Sequence, residues 1–213
     1  MKIVKRLFCI SVACIMLLQE NVVTQAAVIE EKPIEDIVEF LSHNEDGSIT
    51  LDENGARNAG YDTETVLYVK NNVIRMNELV NSGEAYINES FQAVIPGKSS
   101  RAAKGESKVV IYPYGPTQIY LNTDEVADLK KGIDLLSGAC TWTALAQLLT
   151  SGVAPALGAK LGYIGAAATI GSAYLRVTSK QIEQVSASGK GIIITVLDAD
   201  SSGTNKAIFL SSQ

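Results

Sequence analysis

Catalysis by a side chain needs a nucleophile or proton carrier with a partner of matched pKa beside it, and this chain supplies few. His43 is its one histidine, and S-H-N-E-D-G gives it no sensible surroundings for a His-based hydrolase mechanism. Cys9 and Cys14 fall within the apolar N-terminal run, which leaves Cys140, in G-A-C-T-W, as the cysteine of the remaining chain. A single cysteine closes no intramolecular disulfide, and with no base in view it reads as a small buried hydrophobe. Asp198 and Asp200 stand with Ser201, Ser202 and Asn205 in D-A-D-S-S-G-T-N, the composition of a turn. N-E-S at Asn88 fits a glycosylation acceptor. No acid/base pair and no nucleophile with a base is discernible, so the expectation is a non-enzymatic protein.

One stretch has ligand spacing. In S-H-N-E-D-G-S-I-T-L-D-E, residues 42–53, Asn44, Asp46, Gly47, Ile49 and Glu53 fall on positions 3, 5, 6, 8 and 12 of the EF-hand loop. Oxygen ligands, a sharp-turn glycine and a bidentate carboxylate belong at such positions. Ser42 stands where the pattern has its first aspartate, and no second hand accompanies it. Two readings follow: a weak calcium site built on Asn44, Asp46 and Glu53, or a turn between two helices. Apart from calcium, no cofactor is implied.

A different device lies further on. Gly158 and Gly162 make G-x-x-x-G, and Ala167 and Gly171 repeat the spacing of small residues one turn apart, which lets helix backbones approach closely in lipid or in water. Residues 161–175, L-G-Y-I-G-A-A-A-T-I-G-S-A-Y-L, carry no charge. As a helix they would be about 22 Å long at ~1.5 Å per residue, short of the ~30 Å hydrocarbon core. Residues 135–159 are also uncharged, and S-G-V-A-P at 151–155 breaks them, so the expectation is a helical hairpin whose second helix runs on toward S-K-Q-I-E-Q-V.

The elements that must position these residues follow from periodicity. Ile34, Ile37, Val38 and Leu41 predict a short amphipathic helix after Pro33. A longer helix opens at Asp62, with Val66, Val69, Val73, Met76 and Val80 as its apolar seam and Asn81-Ser82-Gly83 as its stop. V-V-I-Y-P-Y-G-P-T-Q-I-Y-L-N predicts a hairpin, confined by Pro113 and Pro116 to an edge or a wide turn. Asn122 or Thr123 caps a helix in which acids precede lysines. The β-branched run 192–197, a turn and a last strand form a second hairpin. The fold class is α+β: a helical N-terminal region, then β-hairpin, Ala/Gly-rich helical hairpin, β-hairpin, with four strands in one sheet under the helical pair.

The N-terminus, M-K-I-V-K-R followed by an uncharged apolar run at 7–18 and T-Q-A-A, reads as a secretory signal peptide cleaved near Ala26 or Ala27; the run is short of the ~20 residues a span needs. The expected organisation is signal peptide 1–27, acidic helical region 28–97, linker 98–107 and α+β module 108–213. P-G-K-S-S-R-A-A-K-G-E-S carries no apolar periodicity, and Lys98, Arg101 and Lys104 would suit a processing protease. Net charge is −10 over 28–97 and +3 over 98–213, complementary in sign. A charge of +3 so spread makes no basic stripe, which excludes nucleic acid as a partner.

The order of segments resembles precursors of secreted Gram-positive toxins and bacteriocin-like peptides, which carry a signal peptide, acidic leader, basic linker and Ala/Gly-rich hydrophobic module. G-K-G-I-I-I and the final S-S-Q also resemble uncharacterised secreted proteins of Bacillus-type bacteria. The resemblance carries over no functional residue. It implies an extracellular, membrane-active protein whose partner is the lipid membrane of a target cell and whose acidic region masks it beforehand. The alternative is an extracellular interaction protein with an unknown protein partner, the helical hairpin being ordinary core.

Overall fold

The computed structural model describes residues 32–97, 103–136, 138–149, 176–198 and 206–213. The expected signal peptide, most of the helical hairpin (with Gly158, Gly162, Ala167 and Gly171) and the turn around Asp200 lie outside the described residues. The chain is α+β, as its periodicity predicts.

Pro33 leads into a 3-10 helix, Ile34–Phe40, that buries Ile37. It is tighter than the expected α-helix and shorter at its end, because Leu41 already belongs to strand β1 (Leu41–His43), paired antiparallel with β2 (Ile49–Leu51). Asp52 caps α1 (Glu53–Asn58), and Asp62 caps α2 (Thr63–Asn81) through its carboxylate and the Thr65 N–H. The buried seam of α2 is Val66, Val69, Val73, Met76 and Leu79, so the last step turns in Leu79 where the periodicity places Val80. Gly83, at φ +73°, continues the chain out of the helix in the left-handed region where glycine costs least. Asn77 of α2 bonds both backbone groups of Ile49, Oδ1 accepting at 2.9 Å and Nδ2 donating at 2.8 Å, and so stands in for a neighbouring strand.

A six-stranded antiparallel sheet follows: β3 (Tyr86–Ile87), β4 (Ala93–Pro96), β5 (Lys108–Ile111), β6 (Thr117–Leu121), β9 (Ile192–Asp198) and β10 (Lys206–Ser212), in spatial order β10-β9-β6-β5-β4-β3. Pro113 and Pro116 sit in the β5–β6 turn, where Tyr112 N–H donates to the Pro116 carbonyl, so the hairpin lies inside the sheet rather than at its edge. The four expected strands are contiguous, but β3 and β4, from the acidic region, extend the same sheet.

This corrects the expected division at 98–107. Ile95 pairs with Val109 and Pro96 with Lys108, so those residues connect neighbouring strands of one sheet, within a compact unit that runs from Pro33 to Gln213. The end of the connection is pinned: Lys104 exchanges two hydrogen bonds with Thr123. The Gln213 side-chain amide bonds the backbone of Glu106, Leu121 and Ile192.

Asn122 caps α3 (Thr123–Leu135) in a reciprocal box: its Oδ1 accepts from the N–H of Asp124 and Glu125, while Glu125 Oε2 accepts from the Asn122 N–H. After α3, β7 (Ala139–Thr141) pairs with β8 (Arg176–Thr178), closing the base of the segment between them. The helix expected to run on to residue 185 is interrupted by β8; α4 (Trp142–Leu148) follows β7, and α5 (Ser179–Val185) starts afresh at a Thr178 cap. Lys130 of α3 meets Glu183 of α5 at 3.4 Å, and Ser179 donates to Asp134.

Two apolar clusters share one face of the sheet. One gathers Ile95, Val109, Ile119 and Ile194 under Val126, Leu129 and Ile133 of α3, Leu145 of α4 and Ile182 of α5. The other joins Ala93 to the α2 seam, Ile37 and Ile49. Strand side chains alternate, so the register that builds these clusters sends the intervening residues to the opposite face.

Candidate binding face

On that opposite face, Tyr86, Val94, Val110, Gln118, Thr195 and Phe209 stand in one cross-strand row, one from each strand. At ~4.8 Å between strands, Tyr86 and Phe209 are about 24 Å apart. Both are 56% exposed, the mark of aromatic side chains facing solvent at the ends of the row. Val94 and Val110, at 6% and 4%, are buried between them although neither belongs to the two cores. Pro96, Lys108, Tyr120 and Ile193 form the adjoining row.

The centre of the face is hydrogen-bonded. Gln118 Oε1 accepts from Tyr112 at 3.0 Å and from Tyr120 at 2.9 Å. Two donors on one carbonyl oxygen fix the amide plane. Its Nε2 donates to no described residue. Tyr112 stacks obliquely on Tyr114, ring centroids 5.4 Å apart. Burial raises the pKa of both phenols, with Tyr120 adding to the shift of Tyr112 and Tyr112 to that of Tyr114, so both remain hydroxyl donors at neutral pH. Lys108 Nζ lies 4.8 Å above the Tyr120 ring and 2.6 Å from Glu106, whose hydrogen bond raises the lysine pKa. Beside Tyr86 a groove of about 350 Å³ opens, lined among the described residues by Tyr86, Val94, Pro96, Ser107, Lys108 and Asn122.

Where the sequence offers a weak calcium loop or a turn between two helices, residues 44–48 turn between the two strands of a hairpin, and each candidate ligand has a protein partner. Asn44 donates to Ser48 and Thr50, and Asp46 accepts the Ser48 hydroxyl and N–H, which lowers its pKa. Glu53 opens α1 and pairs with Lys70 at 2.6 Å and Arg57 at 3.2 Å; the Lys70 hydrogen bond is the main cause of its lowered pKa. Among the described residues no group of three His, Cys, Asp or Glu could hold a metal ion.

His43 stacks on Phe91, centroids 4.5 Å apart and planes 17° from parallel, and Phe91 is held at φ +59°. Asn88 heads the β3–β4 turn, its Oδ1 accepting from the Ser90 and Gln92 N–H groups. Cys140 lies on β7, opposite Val177. The tyrosines do not stand out in the sequence, although K-V-V-I-Y and T-Q-I-Y-L alternate with period two; only the strand register places Tyr112, Gln118 and Tyr120 together.

No protein-family model, curated protein or solved structure matches the chain. Among the described residues no helix is long and apolar enough to cross a membrane.

Proposed function

We propose that the protein is an extracellular, non-enzymatic binding protein and that the outward sheet face, from Tyr86 to Phe209, is its recognition surface. The observation that carries this is a row with an exposed aromatic ring at each end, Tyr86 and Phe209, and a half-exposed, tyrosine-locked amide, Gln118, near its centre, on the face that no described helix covers. Aromatic side chains with a polar tip supply large contact area at low entropy cost, which suits them to recognition. The signal-like N-terminus supports export. The test is sedimentation of the purified protein with intact Gram-positive cells: saturable binding that weakens about tenfold in Tyr86→Ala is expected. Binding equal in the variant, or none, overturns the reading.

The membrane-active reading rests on a different observation, the uncharged residues 161–175 with small residues one turn apart. In that reading the acidic region masks the hairpin. Because β3 and β4 belong to the common sheet, unmasking requires two strands to leave it. Dye release from anionic liposomes by the full chain supports this alternative, and intact liposomes remove it.

A further inference from the structure

Several features have local explanations. The groove bounded by Val177, Val185, Ile208 and Leu210 borders edge strand β10, but its lining names no occupant. Glu125, nearly buried, is consumed by its cap and by the Ser107 hydroxyl at 2.7 Å. The Tyr86 end of the outward face differs, because it combines fixed polar groups, aromatic rings and a groove.

Resting on the reading of this face as a recognition surface, we propose that its ligand is an uncharged polysaccharide, bound across Tyr86, Tyr120 and Gln118 and entering the groove beside Tyr86. A pyranose ring presents C–H groups on its faces and hydroxyls around its rim, each hydroxyl both donor and acceptor. The protein offers the complement. Tyr86 is exposed on one side of the groove, and Tyr120 lies three strands away, about 14 Å across the sheet, which selects an oligosaccharide over a single sugar.

For the rim, Gln118 contributes an amide whose oxygen is already occupied by Tyr112 and Tyr120, leaving the two Nε2 protons to donate. The two phenol oxygens, having given their protons to that amide, are left to accept. Donor and acceptors are thereby oriented before any ligand arrives, which spares the cost of ordering them on binding.

Charge argues in the same direction. By register the described residues of the face include one cation, Lys108, and Glu106 neutralises it at 2.6 Å. A phosphate or an anionic lipid headgroup would have to break that pair, whereas a neutral glycan leaves it intact. An extended peptide seeks main-chain partners at a sheet edge; Tyr86 is on edge strand β3, but Gln118, Tyr120 and Lys108 stand on interior strands β6 and β5, whose main-chain groups are already paired within the sheet.

Depletion of the full-length protein by insoluble chitin, cellulose and cell-wall sacculi stripped of teichoic acid tests the proposal, with calorimetry on soluble fragments of any polymer that binds. Saturable binding to at least one polymer is expected, unchanged when salt is raised. Tyr86→Ala and Gln118→Leu should each weaken it about tenfold while Tyr86→Phe retains it. Tyr86 is at the exposed end of the row, so its alanine variant should melt with the wild type, which separates lost binding from lost fold. The proposal is overturned if no polymer depletes the protein, if both variants bind as the wild type does, or if binding occurs only to anionic vesicles and vanishes in salt. Cell binding that still depends on Tyr86 in the absence of any glycan affinity would remove the ligand class alone; cell binding indifferent to Tyr86 would remove the surface as well.

Discussion

Glu125 shows how one carboxyl serves competing demands. Its oxygens accept from Ser107 and from the Asn122 N–H, and both bonds favour the charged form. Burial opposes them and is the larger effect, so the folded pKa is raised above the ordinary 4.5. The folded protein therefore holds this proton more tightly than the unfolded chain does. Stability from this group is fully present below the ordinary value and is lost as pH rises through the raised one. Glu125→Gln titrates in neither state. The wild type should accordingly lose stability relative to Glu125→Gln as pH rises from the ordinary 4.5 through the raised folded pKa, followed by urea unfolding at each pH; a gap that widens in favour of the wild type would mean that the hydrogen bonds outweigh burial. Residue-scale roles of this kind are partly legible: Asn122 is recognisable as a cap because its partners are two and three residues away. Glu53 reads as a calcium ligand in the sequence because its true partner, Lys70, lies on the next helix.

At the scale of elements, the strands carry the clearest constraints. Gly191 precedes β9 at φ +98°, and a Cβ there would run into the Leu121 carbonyl at the end of β6. Gly191→Ala must therefore either strain the backbone or push the central strands β6 and β9 apart, and a loss of about 2 kcal/mol or more is expected in chemical denaturation. Wild-type stability in that variant would show that the close approach of β6 and β9 is absent. Helix α2 is readable from its seam because a 3.6-residue period is local; the exchange of Val80 for Leu79 reflects the surface it meets, the Ile95 and Val109 cluster. The β7–β8 ladder is not readable, because its two strands are three residues long and separated by the whole segment they enclose.

For the molecule as a whole, the decisive fact is that the acidic and basic regions share a sheet. Proteolysis at Lys98 or Arg101 should nick the chain without releasing a fragment: two bands in denaturing electrophoresis, one species in gel filtration. Separation of the two pieces under native conditions would restore the leader-and-module organisation. The sequence by itself determined what depends on near neighbours: the α+β class, the helix start at Asp62, a cap at Asn122 or Thr123, the proline turn between β5 and β6, and the apolar run of β9. The tertiary structure decided what depends on pairing between distant segments. Strand alternation says that Tyr86, Gln118 and Phe209 each face away from some neighbour. Only the register of β3 through β10 puts all three on one side of one sheet, because hydrogen-bonded pairing joins residues by spatial adjacency, and no local periodicity carries that information.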